Sequence, residues 1–251
     1  MPSDLDVALR LATTAADIAL SYEGRYVRSE IKPDGSPVGE ADLAIEEALL
    51  EVLRTERPDD AILSEEAGDV GKGERLWLLD PLDGTTFFLD GDPGWGTLIT
   101  LQDERSRPLV GVVTRPLERK WWWAARGEGA HVGDLGSSDG RRIHVSDVSS
   151  IDEARLSAWQ SWHRRDLRKV REMPGWVSPD ANVFLRVAEG EIDCVASLGG
   201  LVWDHAPLVL LIEEAGGRYR DRHGGSRIDL KGGVYSNAHL DGPMGELLGW
   251  F

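Results

Sequence analysis

The chain is poor in cysteine, in basic residues and in long apolar runs. Its single cysteine, Cys194, excludes an internal disulfide and fits a reducing compartment. Because its neighbours are apolar and not basic, we expect a buried structural thiol. No apolar stretch approaches the roughly 20 residues of a membrane helix, and the N-terminus carries acids where a secretion signal needs basic residues. We therefore expect a cytoplasmic protein with no membrane partner.

The shortage of basic residues gives the chain a strong negative charge. Lys and Arg number 28 against 44 Asp and Glu, a net charge of −16. Such a surface repels phosphate backbones, which argues against a nucleic-acid partner. A small anionic substrate would need a local source of positive charge. Divalent cations held by clustered carboxylates would supply it.

The pattern of apolar residues predicts an α+β half followed by an α/β half. Helices are expected over Asp4–Tyr22 and 40–57, separated by a proline- and glycine-rich stretch, 32–40, that should lack regular structure. Strands are expected at 61–64, 76–79, 96–102, 109–114, 121–125 and 129–132. Later, strands at 154–158 and 192–196 alternate with helices at 163–172, 181–188 and 203–215. The polar stretch 135–146 suggests a boundary, dividing the chain into 1–140 and 141–251.

The most informative segment is LWLLDPLDGTTFF, residues 76–88. A buried strand would end in Asp80, with Asp83 three positions later, so that both carboxylates and the Leu82 carbonyl could face one point. Several oxygen ligands of this kind suit Mg²⁺. Gly84 permits a tight turn, and Thr85 could open a helix whose free N–H groups face an anion. The alternative, a simple Asp-Gly hairpin turn, does not explain Asp80 at the end of an apolar run.

Three further acidic segments are weak signals when taken alone. Glu65 and Glu66 follow a predicted strand, and adjacent strand residues should point to opposite sides. They could equally form a solvated loop. Asp42 and Asp204 each begin a predicted helix, where a carboxylate commonly only stabilises the N-terminus.

The order of these motifs resembles the signature of the inositol monophosphatase family, which also includes fructose-1,6-bisphosphatases, bisphosphate nucleotidases and one type of histidinol-phosphate phosphatase. The similarity extends from the KPDGSPV loop to the AGG turn. It implies a layered α+β and α/β sandwich (αβαβα), a Mg²⁺-dependent phosphomonoesterase, inhibition by Li⁺ and a homodimer. The matching residues are Asp42, Glu65–Glu66, Asp80 to Thr85, Trp203–Asp204 and Ala215 to Gly217.

The resemblance also implies a role for each matching residue. Two or three Mg²⁺ ions would be held by the Leu82 carbonyl and four carboxylates, those of Glu65, Asp80, Asp83 and Asp204. Asp42, Glu65 and Thr85 would be catalytic, with Thr85 and Asp42 hydrogen-bonded to each other and helping to activate the attacking water. The turn at Gly84–Thr85 would hold the phosphate through its N–H groups, beside Asp83.

Departures from the family pattern bear on the substrate, a small phosphorylated metabolite. Ser197 stands where inositol-specific members carry a glutamate, and a serine cannot make a carboxylate's charged contact. The segments 94–101 and 111–132 resemble those of histidinol-phosphate phosphatases, and Asp180 with Asp83 could face a substrate amine. Histidinol phosphate therefore ranks above inositol monophosphate.

Other functions stay open at this point. A 3′,5′-bisphosphate nucleotidase or a sugar-phosphate phosphatase would use the same chemistry, although doubly phosphorylated substrates call for additional basic residues. A non-catalytic protein that binds metal or phosphate is a third reading. Trp121 to Trp123 could form a stacking platform, but a buried structural role is favoured.

Overall fold

The structure, a computed structural model, describes residues 2–33, 35–159 and 165–251. The α-helices are α1 (Asp4–Tyr22), α2 (Glu40–Glu56), α3 (Thr85–Asp90), α4 (Arg165–Arg171), α5 (Val183–Ala188), α6 (Val202–Glu214) and α7 (Asp241–Leu248). The strands are β1 (Ser29–Ile31), β2 (Pro37–Gly39), β3 (Ala61–Ser64), β4 (Gly68–Val70), β5 (Leu76–Asp83), β6 (Gly96–Gln102), β7 (Pro108–Arg115), β8 (Lys120–Ala125), β9 (Gly129–Asp134), β10 (Gly140–Ile143), β11 (Leu156–Trp159), β12 (Cys194–Leu198), β13 (Arg218–Asp221) and β14 (Gly232–Ser236).

Contacts along the chain group the residues into two units. The first comprises Met1–Ala125 and Val132–Arg141, and the second Arg126–His131 and Arg142–Phe251. Strands β9 and β10 therefore each contain residues of both units.

The first unit is built on a mixed sheet with the strand order β10-β9-β8-β7-β6-β5-β3-β4. Strands β3 and β5 are parallel, whereas β5 to β8 pair antiparallel in sequence order. Helix α1 packs on β6 and β7, and α2 packs on β5. Their apolar faces form one core with the sheet, in which Leu11, Ile45, Leu49 and Trp77 are fully buried.

The second unit contains a smaller sheet with the order β11-β12-β14-β13. Strands β11 and β12 are parallel, and the remaining pairs are antiparallel. Helix α6 contacts β13 and β14, while α4 and α7 contact each other and pack on the sheet. Buried residues of these elements, including Leu156, Ala196 and Met244, form the core of this unit.

Most predicted elements are confirmed, and short strands also occur in two stretches where none was predicted. In the proline-rich stretch, β2 pairs antiparallel with β1, and Pro37 lies opposite Ile31. Proline is tolerated there because it is the first residue of its strand. In the polar stretch 135–146, β10 forms an edge of the sheet. Of the helix expected over 163–172, residues 163 and 164 lie outside the described residues.

The burial of single side chains agrees with the sequence analysis. Trp121, Trp122 and Trp123 are only 2–6% exposed, so the tryptophan run is part of the core and not a stacking surface. Cys194 is buried and free. Among the described residues, no helix combines the length and apolar character needed to cross a membrane.

Asp193 anchors the segment that leads into β12. Its fully buried carboxylate accepts hydrogen bonds from the Arg155 backbone (2.6 Å), the Arg155 guanidinium (2.6 and 3.0 Å) and the Ser146 hydroxyl (2.5 Å). Burial alone would raise the pKa of Asp193, but these hydrogen bonds outweigh it and hold the pKa below its ordinary value.

We predict that Asp193→Ala lowers the free energy of unfolding by about 2 kcal/mol, because it removes the buried acceptor of the Arg155 backbone N–H and of the Ser146 hydroxyl. Since the pKa of Asp193 in the folded chain lies below the unfolded value of about 4, its contribution to the free energy of unfolding is present at neutral pH. It disappears as the pH falls through the lower folded-state value. Urea unfolding at pH 7 measures the loss, with exposed Asp152→Ala as the control. Equal stability of the two variants would contradict this role.

Candidate metal and phosphate site

The parallel pairing of β3 with β5 brings two acidic segments together. Ser64 is the partner of Leu79 in this ladder, and the Glu65 N–H continues it by donating to the Leu79 carbonyl at 3.1 Å. Glu65 and Asp80 therefore follow paired residues at the same edge of two neighbouring strands. The sequence contains an apolar strand followed by an acid twice, and the structure brings these two acids to one edge of the sheet.

A bulge turns the second carboxylate of β5 toward the first. Asp80 is the partner of Leu98 and Asp83 the partner of Gly96, so three steps along β5 match two along β6. One extra residue of this kind bends a strand and redirects its side chains. Carboxylate oxygens of Asp80 and Asp83 consequently lie within 4.8 Å of each other, although Asp80 is only 2% exposed.

Close backbone packing holds the bulge and the turn that follows it. The Thr97 hydroxyl donates to the Pro81 carbonyl at 3.0 Å. A Cβ on Gly96 would lie 1.8 Å from the Thr114 carbonyl oxygen, so only glycine fits there. Gly84 precedes α3 with φ +81°, and a Cβ on it would lie 2.9 Å from the Gly94 carbonyl. The turn thus requires glycine both for its conformation and for space.

Asp42 and Thr85 form the hydrogen bond that the resemblance implies. Thr85 Oγ1 lies 2.8 Å from Asp42 Oδ1 and 3.1 Å from the Leu82 carbonyl oxygen. Asp42 also accepts from the Gly39 N–H at 2.9 Å, so it stabilises the start of α2 as well. Burial raises the pKa of Asp42, and the hydrogen bonds from Thr85 and Gly39 oppose that shift. The Asp42 carboxylate therefore both stabilises the start of α2 and accepts the hydrogen bond from Thr85.

Two cations that the sequence analysis did not single out lie among these acids. Lys32 Nζ donates to Glu65 at 2.7 Å and to Glu66 at 2.9 Å. Arg115, 5% exposed, lies 3.2 Å from the Asp83 carboxylate. Burial alone would lower the pKa of Lys32, but its two carboxylate partners raise it above the ordinary value. Lys32 begins the proline-rich loop 32–40, which the sequence analysis noted. The residues next to Arg115 in sequence contain no motif that would indicate a site.

The contact with Lys32 corrects the expectation that Glu65 and Glu66 point to opposite sides. Both carboxylates reach the same ammonium group. The rule of alternation fails because residues 65–67 form a turn between β3 and β4 and not a continuation of the strand.

The remaining predicted site residues belong to the second unit. Asp204 lies in the first turn of α6 and accepts from the Leu201 N–H at 2.5 Å. Ser197 is buried in β12. Asp180 accepts from the Asn182 N–H at 2.9 Å and pairs with Arg186 at 3.0 Å, so it stabilises the start of α5.

His205, beside Asp204, is held on both sides of its ring. Nε2 lies 2.9 Å from the Gly199 carbonyl oxygen and Nδ1 lies 2.5 Å from the Tyr235 hydroxyl. Burial lowers its pKa, which favours the neutral ring. A neutral ring that donates from Nε2 to a carbonyl must accept the Tyr235 proton at Nδ1. This fixes the tautomer and gives His205 a structural role at the start of α6.

The donor set of the first unit fits a hard divalent cation. Asp80, Asp83 and Glu65 offer carboxylate oxygens, and Leu82 offers a carbonyl oxygen. Nearby carboxylates repel one another unless positive charge lies between them, and Mg²⁺ prefers oxygen ligands of this type.

Comparison with known proteins agrees with this geometry. Residues 2–246 match the model of the inositol monophosphatase family. The chain belongs to the inositol monophosphatase family. As a member of this family the protein is a phosphatase, and members generally use Mg²⁺.

Individual relatives and a solved structure are similar to this chain over nearly its whole length. A Streptomyces griseus protein named glucose-1-phosphate thymidylyltransferase is 42% identical, over 98% of this chain and 96% of that protein. A histidinol-phosphatase of Streptomyces coelicolor is 36% identical, over 100% and 98%. The inositol monophosphatase structure from Thermotoga maritima superimposes with a TM-score of 0.85 at 25% identity, covering 98% of this chain and 96% of that one. The predicted fold class is thereby confirmed.

We predict that Mg²⁺ raises the thermal unfolding temperature of this phosphatase, because an ion that binds only the folded chain stabilises it. Asp83→Asn should abolish both the rise and turnover while leaving the metal-free fold intact. Differential scanning fluorimetry with and without Mg²⁺ measures the shift. Asp92→Asn, which removes an exposed carboxylate from the same unit, is the control. An undiminished shift in Asp83→Asn would rule out Asp83 as a ligand.

Proposed function

We propose that this protein is a Mg²⁺-dependent phosphomonoesterase that hydrolyses a small phosphorylated metabolite by direct attack of water. The observation that carries the proposal is the buried Thr85–Asp42 hydrogen bond beside the Leu82 carbonyl and the Asp80–Asp83 pair. A hydroxyl–carboxylate pair next to a set of metal ligands has the parts needed to accept a proton from water.

Thr85 and Asp42 would act as a relay for that proton. With its own proton directed to Asp42, Thr85 Oγ1 presents a lone pair to the attacking water. Asp42 is suited to the task because burial raises its pKa, which increases its affinity for a proton. Glu65, at the same edge of the sheet, would orient the water from its other side.

By the family resemblance, the ions would be held by the Leu82 carbonyl and the carboxylates of Glu65, Asp80, Asp83 and Asp204. The chemistry that bound Mg²⁺ supplies is neutralisation of the phosphate oxygens, a lower pKa for the attacking water and stabilisation of the departing alkoxide. The Gly84–Thr85 turn would hold the phosphate through its N–H groups. Inhibition by Li⁺ and a homodimer follow from the family resemblance.

Histidinol phosphate is the proposed substrate, ahead of inositol monophosphate. The similarity to a named histidinol-phosphatase supports it, and the serine at position 197, in place of a glutamate, argues against inositol monophosphate. The 42% identical relative is named as a glucose-1-phosphate thymidylyltransferase. The substrate in that name favours a second candidate for this chain, hydrolysis of a sugar 1-phosphate. A nucleotidyl transfer would instead release pyrophosphate from a nucleoside triphosphate, which makes the two reactions distinguishable by product.

We expect phosphate release from histidinol phosphate to exceed that from every other substrate by at least about a hundredfold in kcat/KM, roughly 2.7 kcal/mol of transition-state discrimination. The panel adds inositol 1-phosphate, glucose 1-phosphate, fructose 1,6-bisphosphate and adenosine 3′,5′-bisphosphate, each assayed with Mg²⁺. Glucose 1-phosphate with thymidine triphosphate, assayed for pyrophosphate, tests the transfer reaction. Preference for glucose 1-phosphate would replace the proposed substrate, and silence throughout would favour a non-catalytic binding protein.

The relay predicts that Thr85→Ala lowers kcat by about 10² to 10³-fold, because the water loses its proton acceptor. Thr85→Ser keeps a hydroxyl at the same place and should retain most of the activity. Thr86→Ala, an exposed neighbour in the same helix, is the matched control. Steady-state kinetics at saturating Mg²⁺ provide the measurement, and a kcat for Thr85→Ala equal to that of the control would exclude the relay.

A further inference from the structure

Helix α2 carries a second buried carboxylate one turn after Asp42. Glu46 is 7% exposed, on the face of the helix that packs toward the sheet. Its Oε1 accepts a hydrogen bond from the Ser64 hydroxyl at 2.5 Å and another from the Ala67 N–H at 2.8 Å. Both hydrogen bonds therefore connect α2 to one short segment of the chain.

That segment is the turn between β3 and β4. Ser64 pairs with Gly68 at the end of the β3–β4 ladder, so residues 65–67 form the turn. Glu46 contacts the residue before Glu65 and the residue after Glu66. The Glu65 N–H donates to the Leu79 carbonyl of β5. The two hydrogen bonds of Glu46 therefore add contacts at both ends of the same turn.

A buried carboxylate is a costly way to hold a turn if stability is the only gain. Removing an ionised group from water is unfavourable unless it is paired, and among the described residues no Lys or Arg forms an ion pair with Glu46. A well-packed apolar residue of similar size would cost less, but it could not accept these two hydrogen bonds. The position of the carboxylate, directly behind a proposed metal ligand, offers a functional reason.

We propose that Glu46 is a positioning residue: by holding both ends of the Glu65–Glu66 turn, it orients Glu65 and sets the affinity of the chain for Mg²⁺. The inference rests on the proposed metal site and deepens it. Groups that orient metal ligands from behind commonly change metal affinity by about 10 to 100-fold when they are removed. Helix α2 would then orient residues in two segments of the site. Asp42 contacts Thr85 directly, and Glu46 holds the turn that carries Glu65.

The test is calorimetric titration of the metal-free chain with Mg²⁺. Glu46→Met has a similar length but no acceptor, and we expect it to raise the Kd for Mg²⁺ by about tenfold or more. Glu46→Gln keeps an oxygen acceptor for both donors, so its Kd should stay within about threefold of the unaltered chain. Glu47→Met changes the adjacent, exposed glutamate of the same helix and should leave the Kd unchanged.

Kinetics separate positioning from a purely structural role. For Glu46→Met we expect a higher Mg²⁺ requirement with kcat restored at saturating Mg²⁺. A lower unfolding temperature with an unchanged Kd for Mg²⁺ would overturn the inference, because Glu46 would then only stabilise the fold.

Two further measurements keep the test decisive. If Glu46→Met does not fold, Ser64→Ala removes one of the two hydrogen bonds and should still raise the Kd; an unchanged Kd would count against the inference. Mg²⁺ binding without turnover on any substrate would overturn only the proposed function, whereas absence of Mg²⁺ binding by the unaltered chain would overturn both.

Discussion

The parallel pairing of β3 with β5 is the constraint on which the site of the first unit depends. Ser64↔Leu79 is the last pair of that ladder, and an acid follows on each strand. A slip of one residue would exchange the two faces of β5 and move Trp77 and Leu79 away from the core that they form with α1 and α2. Burial of apolar surface therefore sets the register, and the register in turn places Glu65 beside Asp80.

Carboxylates gathered in this way repel one another, and the structure shows what balances them. Lys32 joins Glu65 to Glu66, and Arg115 lies against Asp83. Asp42 is held by hydrogen bonds instead of a cation. The two cations offset only part of the charge of these carboxylates, so the site stays acidic, like the chain as a whole with its net charge of −16. Bound divalent cations would supply the positive charge that a small anionic phosphate ester needs at such a site.

Much of the first unit could be predicted from sequence because its signals are local. The helical period of Asp4–Tyr22, the apolar run ending at Asp80 and the glycine after Asp83 each depend on neighbouring residues. The side-chain direction of Glu66, the contact of Arg115 with Asp83 and the role of Glu46 depend on chain segments far apart in sequence. Alternation along a strand placed Glu65 and Glu66 on opposite sides, and only the observed turn shows why that rule does not apply.

Sequence motifs alone identified the family, the acidic residues that could bind metal and the hydroxyl–carboxylate pair of Thr85 and Asp42. It could do so because these residues stand in short motifs whose order along the chain is distinctive. The groups that hold those residues in place are visible only in the folded chain. The bulge opposite Gly96, the Lys32 bridge and the two hydrogen bonds of Glu46 arise from contacts between elements. Such contacts are set by packing and register, which no local pattern of residues encodes.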